Sequence, residues 1–198
     1  MIRVKTTFIL FVFLFFSGIQ LLAQEEIGIY VCGITVHGYK DPNAHLMPCK
    51  LTNNGVLLLN FGGAAHYKKY FTPRFSLDAI QTMQADCALL FSSGTAVAVG
   101  YDIVHYKGHR VIFAIGPGFY IRQSWKRLGD TYDSSQYDFN VSKNEKWEYM
   151  FVPVVPHLEY KYVPENSRFG FTCYFIFDPI EQIYNIGAGI TYLLKNKQ

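Results

Sequence analysis

The fold is decided by residues 184–194, YNIGAGITYLL. The even-numbered positions of this stretch are mostly bulky and apolar, with Tyr184 and Tyr192 near its two ends, and the odd-numbered positions are mostly small or polar. Successive side chains of a β-strand point to opposite faces, so a period of two is typical of a strand between two different environments. The stretch therefore predicts a β-strand with one bulky face and one small, polar face.

The same alternation recurs along the chain, whereas helical periodicity is hard to find. In residues 110–123, for example, Val111 and Phe113 share one face, and Arg110 and Ala114 share the other. Several of these runs exceed the usual strand length of about five or six residues. The sequence predicts an all-β chain with eight strands, at residues 27–37, 57–66, 77–90, 97–105, 110–123, 148–162, 169–177 and 184–194.

The distribution of side chains between the two faces distinguishes a membrane barrel from a soluble one. In a soluble barrel the bulky apolar face points inward and the outer face is charged. Here the face opposite the bulky one is rich in Gly, Ala, Asn, Asp and Arg, which suits a narrow lumen, and the bulky face suits lipid. We therefore predict an antiparallel, up-and-down transmembrane β-barrel. A soluble exported β-barrel or sandwich with a binding role is the alternative.

The N-terminal residues have the pattern of a secretory signal peptide. Arg3 and Lys5 form a positive region, and residues 8–16 form an apolar run, FILFVFLFF. Cleavage of residues 1–23 leaves one barrel domain, residues 24–198. An N-terminal membrane anchor is the alternative, although the apolar run is shorter than the ~20 residues that span a bilayer.

Composition and charge exclude several classes of protein. Hydrophobic residues make up 50% of the chain, aromatic residues 17% and charged residues 17%, which excludes a disordered chain. Without the predicted signal peptide, the chain has 16 basic and 15 acidic residues, so no basic surface for nucleic acid is expected.

The connections between the predicted strands alternate between short and long. The two long connections, 38–53 and 126–146, fall at the same end of the barrel, which is the outer end if the N-terminus lies in the periplasm. Tyr132, Tyr137 and Phe139 in the second of them are candidates for contact with a surface glycan or a protein ligand. A solvated loop is the simpler interpretation.

With its leader, its eight strands and its GAGITY run at residues 187–192, the chain resembles the small eight-stranded outer-membrane β-barrels of Gram-negative bacteria. The resemblance implies a location in the outer membrane and contact with outer-membrane lipid. Two features depart from it. Pro117, Pro153 and Pro156 stand inside predicted strands, where a residue without an N–H requires a bulge. The chain also ends on residues 195–198, KNKQ, rather than on an aromatic residue.

Charged residues on the small face predict an ion network in the lumen. Pairing across the predicted turns at residues 107–108 and 165–166 places Asp102 near position 113 and Glu159 near Thr172, which gathers the charges in the lower half of the lumen. His66 is a further candidate member. We take Arg110 as the main positive partner of Asp102 and Glu159. Because an unpaired buried charge is very costly, we interpret the network as structural. A proton-linked or catalytic role of His157 with Glu159 is the alternative. The predicted members of the network are Asp86, Asp102, Arg110, His157, Glu159 and Lys161.

No catalytic, metal or cofactor site is predicted. Eight-stranded barrels of the lipid A deacylase type carry a serine two residues after a histidine. The positions two residues after the six histidines here hold other residues: Tyr39, Met47, Lys68, Lys107, Val111 and Glu159.

Four cysteines are too few for a disulfide scaffold, and the sequence leaves undecided whether Cys32 and Cys49 form a bridge.

The predicted function is a non-enzymatic outer-membrane barrel whose loops serve binding, adhesion or envelope integrity. An enzyme that hydrolyses acyl chains of lipid A or phospholipid is the alternative.

Overall fold

A computed structural model of the chain describes residues 24–129, 131–135, 139–178 and 182–194. The predicted signal peptide lies outside these residues. The described part contains two short 3-10 helices, Pro42–Leu46 and Trp125–Leu128, and one antiparallel sheet. The strands are β1 (Glu25–His37), β2 (Leu57–Tyr70), β3 (Phe75–Ala85), β4 (Phe91–Tyr106), β5 (His109–Gln123), β6 (Asn140–Val141), β7 (Trp147–Tyr162), β8 (Phe169–Asp178) and β9 (Ile183–Leu194).

The sheet closes on itself. The eight long strands pair antiparallel in the order β1, β2, β3, β4, β5, β7, β8, β9, and β9 pairs with β1. The two-residue strand β6 stands outside this ring and pairs with Glu148 and Tyr149 of β7. The prediction of an eight-stranded, up-and-down antiparallel barrel is confirmed.

The strand boundaries differ most from the prediction around the connection between β3 and β4. Strand β3 ends at Ala85 rather than at residue 90, and β4 begins at Phe91 rather than at residue 97. Asp86 explains the early end, because its Oδ1 accepts hydrogen bonds of 2.9 Å from the backbone N–H groups of Ala88 and Leu90. Such an Asx-type turn reverses the chain directly after the strand.

The two surfaces of the barrel are inverted relative to a water-soluble protein. On the outside, the side chains of Ile29, Val31 and Phe151 are between 61% and 68% exposed. Inside, Lys68 and Lys161 are each only 1% exposed. An apolar exterior around a polar, filled interior is the arrangement of a barrel that crosses a membrane.

Aromatic pairs form a band at each end of the apolar exterior. At one end the ring centroids of Phe75 and Tyr101 lie 4.9 Å apart. At the other end those of Phe177 and Tyr184 lie 4.6 Å apart. Tyrosine and other amphipathic aromatic residues favour the boundary between hydrocarbon and water, so the two bands delimit the membrane-spanning zone.

The prolines in the strands stand where the hydrogen-bonding ladder is irregular. The register of β5 against β7 shifts between Gly116 and Gly118, and this shift takes in Pro117 and Pro153. The described β7–β8 pairs begin at His157, so Pro156 lies next to the end of that ladder. Both positions tolerate a residue that cannot donate an N–H.

The two ends of the barrel are unequal. Residues 38–56 and 124–146 connect strands at one end, here called the loop end. The other end, here called the turn end, has shorter connections at residues 71–74, 107–108 and 163–168.

No helix among the described residues is long and apolar enough to cross a membrane. Three cysteines are free thiols, including one partner of the bridge left open above: Cys49, Cys87 and Cys173.

Candidate functional site

The half of the lumen near the turn end is filled by buried charged side chains, here called the charged cluster. Lys68 of β2 lies near its centre. Its Nζ donates a hydrogen bond to Glu159 of β7 and lies 3.3 Å from Asp78 of β3. The cluster consists of Glu26, His66, Lys68, Asp78, His157, Glu159 and Lys161, all at most 5% exposed.

Lys161 is the second cation of the charged cluster. Its Nζ lies 2.5 Å from the Glu26 carboxylate, 3.2 Å from Oε1 of Glu159 and 3.2 Å from the hydroxyl of Tyr70. Glu159 therefore lies between Lys68 and Lys161, and each of these lysines contacts two carboxylates. Such sharing compensates charges that are removed from water.

Two histidines extend the charged cluster. Nε2 of His66 lies 3.0 Å from Oε1 of Glu26, and the Tyr30 hydroxyl contacts Nδ1 of the same ring. Nε2 of His157 lies 3.4 Å from Oδ2 of Asp78. Both rings are thus held against carboxylates inside the barrel wall.

The structure places the predicted network residues in three groups. The charged cluster contains three of them: His157, Glu159 and Lys161. Within it, Glu159 pairs with Lys68 and Lys161 rather than with Arg110. Arg110 lies at the rim of the turn end, with Nη1 3.5 Å from Oδ2 of Asp102. Its guanidinium also lies 4.9 Å from the ring centroid of Tyr70.

Asp86 forms the third group, because it lies at the loop end and not in the lower lumen. The indole N–H of Trp125 donates to Oδ2 of Asp86 over 2.7 Å. Burial raises the pKa of the Asp86 carboxyl above its usual range, although the hydrogen bond from Trp125 opposes this shift. Its function is to close the β3–β4 turn and to fix Trp125.

The network predicted from the sequence leaves out Glu26, Lys68 and Asp78 of the charged cluster. Glu26 precedes the predicted start of β1, and Lys68 follows the predicted end of β2. Asp78 stands on the face of its predicted strand that also carries Thr82 and Gln84, which was a usable signal. Polar residues at strand ends are hard to assign from alternation, because they look like the first residues of a turn.

An aromatic layer separates the charged cluster from the loop end. The rings of Tyr30 and Tyr174 meet edge to face, with centroids 4.6 Å apart. Met150, Val152 and Tyr120 pack in the same core. Because side chains fill the barrel at this level, the structure contains no continuous open pore through this layer of described residues.

A cavity of about 130 Å³ lies between the aromatic layer and the loops. One wall carries neutral polar groups: Asn60 Nδ2 donates to Oγ1 of Thr35 over 2.6 Å, and that hydroxyl donates to Oδ1 of Asn185 over 2.8 Å. The other wall is apolar and includes Met150 and Ile176. The cavity is therefore amphipathic.

Arg122 organises the roof of this cavity. Its Nε donates to Oε2 of Glu148 over 2.7 Å, and its Nη2 donates to the hydroxyl of Tyr132 over 3.0 Å. The guanidinium lies 4.8 Å from the Trp125 ring centroid and 4.1 Å from that of Phe139. Tyr132 and Phe139, predicted as loop contacts for a ligand, are thus held by Arg122.

The third predicted loop residue, Tyr137, lies outside the described residues.

Hydrogen bonds join the described parts of the two long loops at the loop end. The side chain of Asn43 donates to the backbone carbonyl of Asp133 over 2.8 Å and accepts from the Asp133 N–H over 2.7 Å. Nε2 of His45 lies 3.2 Å from the hydroxyl of Thr131. These contacts restrict the described parts of the two loops relative to each other before any ligand arrives.

The histidines contact groups other than serine. Besides the contacts above, Nδ1 of His37 lies 3.1 Å from Asp41, Nδ1 of His105 lies 3.9 Å from Asp102, and Nδ1 of His109 lies 2.9 Å from the Tyr160 hydroxyl. Within the described ranges, no three metal-ligating side chains form a group that could hold a metal ion.

Comparisons with known proteins bear on the fold alone. No protein-family model matches the chain, and neither does any curated protein. Ail, the attachment invasion locus protein of Yersinia pestis, solved with the heparin analogue sucrose octasulfate, is 11% identical over 87% of this chain and 97% of that chain, with a TM-score of 0.46. The N-terminal β-barrel domain of Pseudomonas aeruginosa OprF is 13% identical over 87% and 100%, with a TM-score of 0.45.

The outer membrane protein AlkL, solved in lipid bilayers, is 7% identical over 89% of this chain and 92% of that chain, with a TM-score of 0.43. In its fold, the chain resembles these small outer-membrane β-barrels.

Proposed function

We propose that the protein is a non-enzymatic outer-membrane barrel, exported by residues 1–23, whose loop end binds a surface glycan or a protein ligand outside the cell. The observation that carries this proposal is the link between the two long loops through Asn43 and Asp133. A flexible loop loses conformational entropy when it binds, and a loop that is already ordered loses less.

The filled lumen also favours a binding role over transport. Charged side chains fill its lower half, and an aromatic layer crosses it above them. An eight-stranded barrel has an interior that side chains can fill completely. The loop end is then the part of the molecule that remains free to meet partners outside the cell.

The test uses the full chain, refolded in lipid nanodiscs, on an array of glycans and extracellular matrix proteins. We expect saturable binding to a restricted set of these ligands. Asn43→Ala removes both hydrogen bonds to Asp133 and should weaken that binding at least tenfold. Ser134→Ala, at an exposed position next to Asp133 in the same loop, is the matched control and should bind as the wild type does.

Binding that is equal in wild type and Asn43→Ala would count against the linked loops as the binding surface. Mass spectrometry of lipid A and phospholipids from cells with and without the gene tests the enzymatic alternative. Unchanged acyl chains are expected, and a consistent difference in acyl-chain number would replace the proposal by that alternative.

A further inference from the structure

We propose that the cavity below the loops is a binding site for a compact, uncharged, largely apolar molecule that carries one hydrogen-bond donor, such as a small phenol or alcohol. This site lies inside the barrel and is separate from the loop surface of the proposed function. Its size, its charge pattern and its unpaired polar atoms each contribute to the argument.

The size of the cavity limits the ligand to a few heavy atoms. Its volume is about 130 Å³. An apolar cavity of about 150 Å³ in another protein takes up benzene. A single six-membered ring with one substituent therefore matches the size of this cavity.

The charged groups around the cavity already have partners. Arg122 is paired with Glu148, and the Asp86 carboxylate accepts from the Trp125 indole and from two backbone N–H groups. Nδ1 of His37 lies 3.1 Å from Oδ2 of Asp41, close enough for an ion pair although the geometry is not that of a hydrogen bond. A charged ligand would have to be desolvated without gaining a free counter-charge from these groups, so the site favours an uncharged one.

Two neutral polar atoms of the wall have no hydrogen-bond partner among the described residues. They are Oδ1 of Asn60, whose residue is 7% exposed, and Oγ of Ser92. Buried polar groups almost always have a partner, so an orphaned acceptor marks a place where a donor is expected. Oδ1 of Asn60 can only accept, and it therefore selects a ligand with an O–H or N–H group.

The apolar side chains that line the cavity explain the apolar part of the ligand. They include Leu58, Met150, Ile176, Ile183 and the ring of Tyr120. A ring or short alkyl chain placed against these side chains leaves water, which is the main favourable term for such a ligand. A hydroxyl at the other end of the ligand can then reach the polar wall.

The experiment compares phenol with toluene, which has a similar shape and lacks the donor. The refolded full chain in nanodiscs is titrated with each compound while NMR follows the indole N–H of Trp125, which lines the cavity. Trp147 packs against Phe91 in the aromatic band and reports partition into lipid. We expect a saturable shift at Trp125, with phenol binding at least tenfold more tightly than toluene.

Three variants complete the test, each checked for refolding by heat modifiability. Asn60→Leu should abolish the preference for phenol while toluene binding stays within about twofold. Ser92→Leu places bulk in the cavity without loss of a hydrogen bond and should abolish the binding of both compounds. Thr172→Val changes a buried, unpaired hydroxyl at another level of the lumen and should have no effect.

Shifts at Trp125 that do not saturate, or that match those at Trp147, would show that the cavity holds only water and would overturn the proposal. Equal preference for phenol in wild type and Asn60→Leu would overturn the assignment of the acceptor. If Ser92→Leu fails to refold, the comparison of phenol and toluene in wild type and Asn60→Leu still decides the matter.

Discussion

The Nζ atom of Lys161 lies 2.5 Å from the carboxylate of Glu26, although 135 positions separate the two residues in the sequence. Lys161 belongs to β7 and Glu26 to β1, and β8 and β9 stand between these strands in the ring. The contact therefore crosses the lumen instead of joining neighbouring strands. It ties the first strand of the barrel to one of the last.

Replacing Lys161 by Met should lower the stability of the barrel strongly. The change removes a cation that meets both Glu26 and Glu159, and the loss of one partner of a buried pair typically costs about 3–5 kcal/mol. The measurement is the urea midpoint of the refolded protein, followed by tryptophan fluorescence. Adding Glu26→Gln should recover part of the loss.

The matched control for this prediction is Lys126→Met. Lys126 lies 3.0 Å from Glu145, but both side chains are exposed to solvent. Such a pair contributes little, so the change should stay within about 0.5 kcal/mol. A wild-type midpoint for Lys161→Met would contradict the position of Lys161 between the two carboxylates.

Replacing Arg110 by Met should have a smaller effect than replacing Lys161. Arg110 lies at the rim with its side chain 16% exposed, and it compensates Asp102 but not Glu159. Asp102 is fully buried, but its contact with Arg110 is 3.5 Å long and His105 lies 3.9 Å from the same carboxylate, so the loss of Arg110 costs roughly 1–3 kcal/mol. The same urea titration should show partial recovery with Asp102→Asn, and a loss as large as that of Lys161→Met would mean that Arg110 also serves the charged cluster.

The reconstituted protein should give no stable, ion-selective conductance in planar bilayers. Charges in the lower lumen and the rings of Tyr30 and Tyr174 fill the cross-section of the barrel. A porin reconstituted in parallel provides the positive control. Reproducible large steps from the purified chain would show that the lumen opens in a bilayer.

Cells that express the chain with residues 1–23 should carry it in the outer membrane. The exposed apolar exterior, with Ile29 and Phe151 more than 60% exposed, requires lipid around the barrel. The protein should sediment with outer membranes and migrate differently on gels before and after heating. Recovery as a soluble periplasmic monomer would argue against export to this membrane.

The Asp86→Asn variant should change how stability depends on pH. Because burial raises the pKa of Asp86 in the folded state, the folded protein binds more protons than the unfolded chain between the two pKa values. This group therefore makes the wild type less stable as the pH rises through that window. Asn lacks this effect, so the stability of Asp86→Asn relative to wild type should increase from about pH 4 to pH 7.

Other groups titrate alike in the wild type and in Asp86→Asn, so the difference between their urea midpoints isolates Asp86. A difference that is constant over this range would mean that the pKa of Asp86 is not raised. Asp133→Asn offers a comparison of opposite sign. A hydrogen bond from Ser135 lowers the pKa of this exposed carboxyl, so its contribution is lost as the pH falls.

The fold could be predicted because the side chains of each transmembrane strand alternate between two environments, lipid outside the barrel and the lumen inside it. Phe113, Phe171 and Ile190 face outward and are exposed, whereas Ala114, Thr172 and Thr191 are buried between them. Lipid on one side and a narrow lumen on the other impose this alternation along each strand, except at bulges such as the one that takes in Pro117 and Pro153. The phase of each strand is therefore readable without knowledge of its neighbours.

The positions of charges along the lumen could not be read in the same way. A predicted turn at residues 165–166 pairs Glu159 with Thr172, but the observed partner of Glu159 is Tyr174. The connection 163–168 is longer than a tight hairpin, and this shifts the register by two residues. A shift of two keeps the face of every side chain and changes its height, so alternation cannot detect it.

The crossing of the lumen by ion pairs has a consequence for the order of assembly. Lys161 meets Glu26 of β1, and Lys68 of β2 meets Glu159 of β7, so both contacts join the first two strands to a strand made much later. These contacts form only once the ring has closed, and a partly assembled sheet lacks them. Interactions absent from the transition state act mainly on the rate of unfolding. We therefore expect these two contacts to slow the opening of the finished barrel and to have little influence on how fast it is built.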